Sequence, residues 1–339
     1  MSDFEKLAEL GLQIDSSRLE RAEASVSSDF VRVTTTVVLA GQGYEGRGED
    51  VTYYADDHEV FPRLELVGAW TLRSFSASLE GQELFPAGEP LFPAARDYRR
   101  WAIESAALDL ALRQAGASLG EVVERTYEPV RFVVSTRHDP RDWLALEPQL
   151  EFKLDPTGEW DREFMRALTE TGRIRVLDLK AYYETDALEV SRDRHLYQAA
   201  VELFPDAVIE DPALTDELRG VLEPAEARLS FDAPIHSVAD VESLPVSVRH
   251  LNIKPSRFGS LERLFACLAW CGERGVSMYG GGQFELGVGR SHIQTLASLY
   301  YASGPNDVAP AEYNEPEPRA GLPRSPLLPS TAPVGLSFS

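Results

Sequence analysis

Ile174-Arg175-Val176-Leu177-Asp178 opens the stretch that decides the fold. It is a strand-like apolar run that stops on an acid. The pattern returns in Ala207-Val208-Ile209-Glu210, Leu229-Ser230-Phe231-Asp232 and, ending on an amine, Leu251-Asn252-Ile253-Lys254. The intervals between the charged residues are 32, 22 and 22, each the length of one strand plus one helix. In a parallel α/β barrel the C-terminal strand ends converge on one mouth. The spacing therefore predicts three carboxylates and an amine in one pocket, a divalent-metal site with a base beside it.

Around this stretch, strand and helix signals alternate. Short apolar runs at 130–135, 150–154, 174–179, 207–209, 228–231, 248–253 and 276–279 are separated mostly by helical patterns, for example at 160–170, 195–203, 260–271 and 291–302. With an eighth strand near 307–313, they read as a parallel barrel. Only residues 137–148 separate the first two runs, and Pro140 and Pro148 lie among them. The first crossover helix is expected to be one turn or absent.

The N-terminal part has another style. Phe30–Leu39 has strand composition, Gly41, Gly43, Gly46 and Gly48 punctuate a turn-rich segment, and Val51-Thr52-Tyr53-Tyr54 reads as a further strand. A long helix is predicted from about residue 98 to 114, with Ile103, Ala106, Ala107, Leu110 and Leu112 on one broad face and Gly116 at its end. The expected organisation is an α+β domain over 1–126, a barrel over 127–313, and a proline-rich segment over 314–339 that packs back on the first domain.

Bulk properties narrow the partners. The 339 residues are 43% hydrophobic and carry a formal charge of −22. That charge argues against nucleic acid and against anionic membranes. No run reaches the ~20 apolar residues of a membrane span, and Met1-Ser2-Asp3-Phe4-Glu5-Lys6 lacks the features of a signal peptide. The two cysteines, Cys267 and Cys271, read as reduced, packed residues. A cytoplasmic protein is expected.

The chemistry follows from the strand ends. Three carboxylates close together repel by about 4 kcal/mol per pair at ~4 Å and an effective dielectric near 20, and a bound divalent cation removes that cost. All-oxygen ligation by Asp178, Glu210 and Asp232 selects a hard ion, Mg²⁺ first and Mn²⁺ as the alternative. A solvated loop start or a helix cap explains any one acid alone; it explains less well three in sequence followed by a lysine. Lys254, partly buried beside a metal, suits a general base. Lys153 and Asp155 share one strand face, as do Asp178 and Lys180. Lys153 is placed to approach the substrate, and Asp155 to pair with Lys180 across neighbouring strands. The glycines of Gly280-Gly281-Gly282-Gln283-Phe284-Glu285 let backbone approach a ligand, with Asp155, Gln283 and Glu285 as substrate-binding candidates.

Taken together, these residues resemble the enolase superfamily, on its muconate-lactonizing and o-succinylbenzoate synthase side. Glu45-Gly46-Arg47-Gly48-Glu49 is similar to the Gly-Glu-ending strand of that family's capping domain, and residues 101–112 look like its long helix. Val208-Ile209-Glu210-Asp211-Pro212 and Asn252-Ile253-Lys254 are the most specific matches. The resemblance implies a capping domain over a TIM-like (β/α)7β barrel, and Mg²⁺ held by Asp178, Glu210 and Asp232. It also implies removal of a proton next to a carboxylate through a metal-stabilised enolate, with Lys254 as the acid/base.

Two positions depart from that family's pattern. Asp155 stands where the second lysine of Lys-x-Lys is usual, so Lys153 matches only the first. Lys180 stands where Asn is usual. Lys180 is therefore expected to take over a cationic role, held by Asp155. One lysine suffices for elimination or cycloisomerisation, so a lyase or isomerase acting on a small-molecule carboxylate is expected. The alternatives are a racemase or epimerase using Lys254 with Lys180 or Lys153, and a homologue that only binds. Oligomeric state stays open, with a homo-oligomer allowed.

Overall fold

The computed structural model describes residues 1–27, 30–182, 192–315, 317–331 and 333–338, with the backbone only at 26, 27 and 30. Among these residues the N-terminal half contains α1 (Asp3–Ala8), β1 (Gly11–Ile14), β2 (Ser16–Ser27), β3 (Phe30–Gly41), β4 (Tyr44–Asp50), β5 (Gly68–Thr71), α2 (Leu72–Ser78), α3 (Ala95–Ala115) and α4 (Leu119–Val123). Strands β2, β3 and β4 form an antiparallel sheet, and β1 pairs with β5.

Of the glycines that punctuate this segment, Gly41 ends β3 and Gly43 lies in the β3–β4 turn at φ +82°, whereas Gly46 and Gly48 lie within strand β4. A Cβ at Gly46 would lie 2.3 Å from the Ala106 carbonyl oxygen, and one at Gly48 2.0 Å from that of Ala102. Both glycines let α3 lie directly on the strand, so their role is close packing. Val51–Tyr54, read as a strand, leaves the sheet instead. The Asp50 carboxylate accepts hydrogen bonds from the Thr52 N–H (2.9 Å) and hydroxyl (2.6 Å), a local turn that competes with the ladder. Helix α3 ends where expected, on Gly116 at φ +64°.

The second half alternates. It runs β6 (Val134–Thr136), α5 (Arg141–Leu146), β7 (Phe152–Leu154), α6 (Arg162–Glu170), β8 (Ile174–Asp178), α7 (Arg194–Leu203), β9 (Val208–Glu210), α8 (Asp216–Leu222), β10 (Leu229–Phe231) and α9 (Val238–Ser243). It continues with β11 (His250–Ile253), α10 (Pro255–Phe258), α11 (Leu261–Arg274), β12 (Ser277–Gly280) and α12 (Val288–Tyr300). The seven strands β6 to β12 form one parallel sheet in sequential order. The first crossover carries the six-residue α5, as its length and prolines predict.

The eighth strand is reduced to two residues. Asn306 bridges Phe132 beside β6, and Asp307 bridges Gly281 beside β12, both in parallel. Asn306 is fully buried; its Oδ1 accepts from Gly280 N–H, and its Nδ2 donates to the Arg131 and Tyr301 carbonyls. One amide side chain thus ties the open sheet edges into a (β/α)7β barrel, and the chain then turns into a 3-10 helix at Ala311–Asn314. The C-terminal segment pairs Leu327 with Val130, and Leu336 N–H donates to Asp109 of α3. Cys267 and Cys271 are buried thiols. No helix among the described residues is long and apolar enough to cross a membrane.

The cap is fastened to the barrel by buried charge. Glu49, at the end of β4, accepts N–H bonds from Leu286, Gly287 and Gly289 and so caps the start of α12. Arg32 of β3 donates to the carbonyls of Val51 and Thr52 in the cap, and of Gln283 and Phe284 in the barrel. Glu104 of α3 accepts from Leu261 N–H, at the start of α11.

Candidate metal and acid/base site

The strand-end residues converge as the spacing predicts. Asp178 and Glu210 are partners in the β8–β9 register, and Ser230 is the partner of Glu210 in β10. Side chains two apart share a face, so Asp232 projects beside them. All three carboxylates are 0–1% exposed. Such burial of acids is rare unless they are paired or ligate a cation.

Three amines and a guanidinium surround them. Lys153 Nζ lies 2.5 Å from Glu210 Oε1 and 3.0 Å from Asp178 Oδ2. Lys180 Nζ is 2.8 Å from Asp178 Oδ2 and 3.3 Å from Asp155 Oδ2. Lys254 Nζ is 2.7 Å from Asp232 Oδ2, and Arg257 Nε is 2.8 Å from Asp232 Oδ1. Pro255 fixes φ at the start of α10, so Arg257 turns back onto the same carboxylate as Lys254.

Several site residues carry no strand-end signal. The Tyr279 hydroxyl donates to Glu210 Oε2 (2.5 Å) and accepts from the Ser230 hydroxyl (2.9 Å). Asn252 Nδ2 donates to Glu210 Oε1 (3.0 Å). Asp211 accepts from the Asp232 and Ala233 N–H groups, which sets the end of β10. Asp307 lies 3.9 Å from Lys153. Inward alternation along β11 and β12 points to Asn252 and Tyr279; nothing in the sequence singles out Asp307.

Gln283 and Glu285 are placed at the seam with the cap. Gln283 Nε2 donates to the Tyr98 hydroxyl. Glu285 is buried; its Oε1 accepts from Gln283 N–H, and Oε2 lies 3.3 Å from Arg290. Their loop still borders the site, because a Cβ on Gly281 would lie 2.8 Å from Lys254 Cε and from Asn252 Oδ1. A separate cavity of about 350 Å³ between α6 and α7 is lined by residues such as Trp160, Met165 and His195, and holds none of the strand-end groups.

The electrostatics explain how these charges coexist. Burial opposes ionisation of Asp178, but Lys153 and Lys180 outweigh it and hold its pKa below the usual range. Burial likewise opposes Asp232, yet Arg257 and Lys254 hold it at about 2. Glu210 goes the other way. Burial, only partly offset by Lys153 and reinforced by Asp178 and Asp232, pushes it up to about 7. Asp211 is raised well above its ordinary value by burial and by the same acids. Lys153 loses by burial, but Asp178, Glu210 and Asp307 raise it well above a normal lysine.

The donor set fits a hard divalent cation. Oxygens of Asp178, Glu210 and Asp211 lie within 4.8 Å of one another, whereas Asp232, the third ligand expected from the sequence, is outside that cluster with its oxygens held by Lys254 and Arg257; carboxylate oxygen is the ligand of Mg²⁺ and Mn²⁺. Burial and neighbouring acids leave Glu210 and Asp211 short of positive charge. Asn252 Oδ1, beside them, is buried and accepts no hydrogen bond among the described residues.

Comparison with known proteins places this geometry in a family. Domain of unknown function (DUF8230) matches the chain with its N-terminal domain over residues 5–122 and its C-terminal domain over 126–315. An N-succinylamino acid racemase of Thermus thermophilus is 26% identical over 314 residues, 86% of this chain and 82% of that protein. An o-succinylbenzoate synthase of Bacillus subtilis is 26% identical over 223 residues, 61% of this chain and 58% of that one. Among solved structures, a dipeptide epimerase from Methylococcus capsulatus complexed with Mg ion superposes with a TM-score of 0.64 at 21% identity, covering 96% of this chain and 99% of that one. A muconate cycloisomerase from Pseudomonas fluorescens gives a TM-score of 0.64 at 16% identity, covering 88% and 87%. The chain belongs to the DUF8230 family, and its fold is that of the enolase superfamily.

Proposed function

We propose that this protein is a Mg²⁺-dependent lyase or isomerase that removes a proton from the carbon next to a substrate carboxylate. The observation that carries this reading is Lys254 at 2.7 Å from Asp232, on the strand end that follows those of Asp178 and Glu210. Asp178, Glu210 and Asp232 would hold Mg²⁺, or Mn²⁺ in its place. Bound there, the cation supplies positive charge beside the oxygen of the developing enolate, a contribution of several kcal/mol.

The chain's own residues do the rest. Lys254 Nζ takes the proton, and Asp232, itself held by Arg257, fixes the amine at the mouth of the barrel. Lys153, buried between Asp178 and Glu210, keeps positive charge next to the carboxylates. Loss of a leaving group, or ring closure, on the Lys254 face needs no second base. The named relatives and neighbours, a racemase, a synthase, an epimerase and a cycloisomerase, support chemistry of this kind.

A second reading, racemisation or epimerisation, is favoured by Lys153 and Lys180 lining the same site. One experiment separates the two. The Mg²⁺-supplemented protein is incubated in D₂O with a panel of N-succinylamino acids and other α-substituted carboxylates. Exchange at the α-carbon is expected, and Lys254→Met should cut it by about 10²–10⁴-fold. Deuterium in both stereoisomers selects racemisation. Undiminished exchange in Lys254→Met, or none across the panel, overturns the assignment.

A further inference from the structure

We propose that Lys180 and Asp155 act as a pair that sets the affinity of the strand-end carboxylates for a divalent cation. Lys180 shields Asp178 in the metal-free protein and moves onto Asp155 when a cation takes Asp178. This rests on the metal reading given above and assigns a purpose to the two departures from the family pattern.

The geometry carries the argument. Lys180 Nζ is 2.8 Å from Asp178 Oδ2, one of the oxygens a metal would need. An ammonium and a divalent cation repel, and at this depth water screens them poorly. Cation binding must therefore displace Lys180 from Asp178. The landing place is already in contact, since Lys180 Nζ lies 3.3 Å from Asp155 Oδ2. Asp155 Oδ1 is shut off from solvent and accepts no hydrogen bond among the described residues. That acceptor has capacity for the ammonium after transfer. Arg137 Nε, 3.2 Å from Asp155 Oδ2, holds the acid in place from β6's side of the mouth.

The backbone keeps the pivot short. Lys180 has φ +51°, a left-handed conformation uncommon for a long side chain. It is fixed by its N–H donating to Asp178 Oδ1 (3.1 Å) and by Ala181 N–H donating to the Asp211 carbonyl (3.0 Å). Only side-chain rotation is then needed to trade one carboxylate for the other.

The consequence is a non-additive pair. Without Lys180 the cation meets one competitor fewer at Asp178 Oδ2, where Lys153 stays 3.0 Å away in every variant, so Lys180→Met should lower the Mg²⁺ Kd by about tenfold. Without Asp155 the displaced ammonium has no acid to receive it, so Asp155→Asn should raise the Kd by about tenfold. In the double variant the Asp155 effect should disappear. If Asp155 acted only through its own negative charge, its loss would weaken binding equally in both backgrounds.

Isothermal titration with Mg²⁺ on the chelator-stripped full chain and the three variants tests this. The expected order of affinity is Asp155→Asn weakest, wild type next, and Lys180→Met and the double variant tightest and alike. Binding by the wild type with an unchanged Kd in Lys180→Met overturns this proposal alone. Absence of Mg²⁺ binding in all four proteins overturns it together with the metal reading.

Discussion

Replacing Arg32 by methionine should loosen the cap from the barrel, because Arg32 is buried at the seam between them. The guanidinium is fully buried and makes five carbonyl contacts: Val51 and Thr52 at 2.7 Å, Gln283 at 2.8 Å, Phe284 at 3.2 Å and Tyr53 at 3.3 Å. Two of these cross to the barrel. A hydrogen bond to a charged group contributes about 1.5–3 kcal/mol, so the two crossing bonds represent about 3–6 kcal/mol. Burial lowers the Arg32 pKa despite Glu285, Asp50 and Glu49 nearby, so part of that gain is spent on desolvating the charge. Methionine keeps most of the volume but leaves the carbonyls without a donor, and the expected loss is about 3–5 kcal/mol. Urea unfolding followed by tryptophan fluorescence measures it. Limited proteolysis should at the same time expose residues 281–287. Arg32→Lys should recover less than half, because one ammonium has three donors and cannot span both sides. A loss below about 1 kcal/mol, within the range of an ordinary surface change, would refute the view that Arg32 holds the seam.

Two further outcomes follow from buried ionisable groups. Burial depresses His292, on α12, to about 4. Its folded pKa lies below the unfolded 6.5, so its contribution is complete above pH 6.5 and is lost as pH falls toward 4, about 3 kcal/mol in total. His292→Asn should flatten that part of the stability curve in denaturant titrations from pH 7 to 4; an unchanged slope would show that other groups produce it. Asp211→Asn should cost about 1 kcal/mol through its bonds to the Asp232 and Ala233 N–H groups, while Mg²⁺ affinity by calorimetry stays within about threefold. A drop beyond tenfold would place Asp211 among the metal ligands.

The barrel and its acids were legible because the strands are mostly buried, predominantly apolar runs broken by single polar residues such as Lys153, Arg175, Ser230 and Asn252, so Asp178, Glu210, Asp232 and Lys254 stand out where the run stops. The convergence of strand ends is a property of the topology, and it brought those four together without further information. What stayed hidden depends on contacts between distant segments. Gly46 and Gly48 read as turn residues because sequence does not say that α3 lies on β4. Asn306 closes the barrel with one amide, a role that leaves no periodic trace. Gln283 and Glu285 follow three glycines and looked ligand-facing, yet Arg32 and Glu49, more than 230 residues earlier in the chain, grip their loop from the cap. Arg257 was findable in principle, three residues after Lys254 on the turn that Pro255 starts. The exchange of Asp155 and Lys180 was visible as a pair of departures, but only the 2.8 Å and 3.3 Å contacts of Lys180 show that one amine touches both acids.

The position of a bound divalent cation tests the proposed site most directly. Crystals soaked in Mn²⁺ and measured at its absorption edge report that position through anomalous scattering. The predicted result is one strong peak at the barrel mouth bounded by Asp178, Glu210 and Asp232, with the Lys180 side chain turned to Asp155. A saturating soak that gives no peak there, or a peak away from these strand ends, would contradict it.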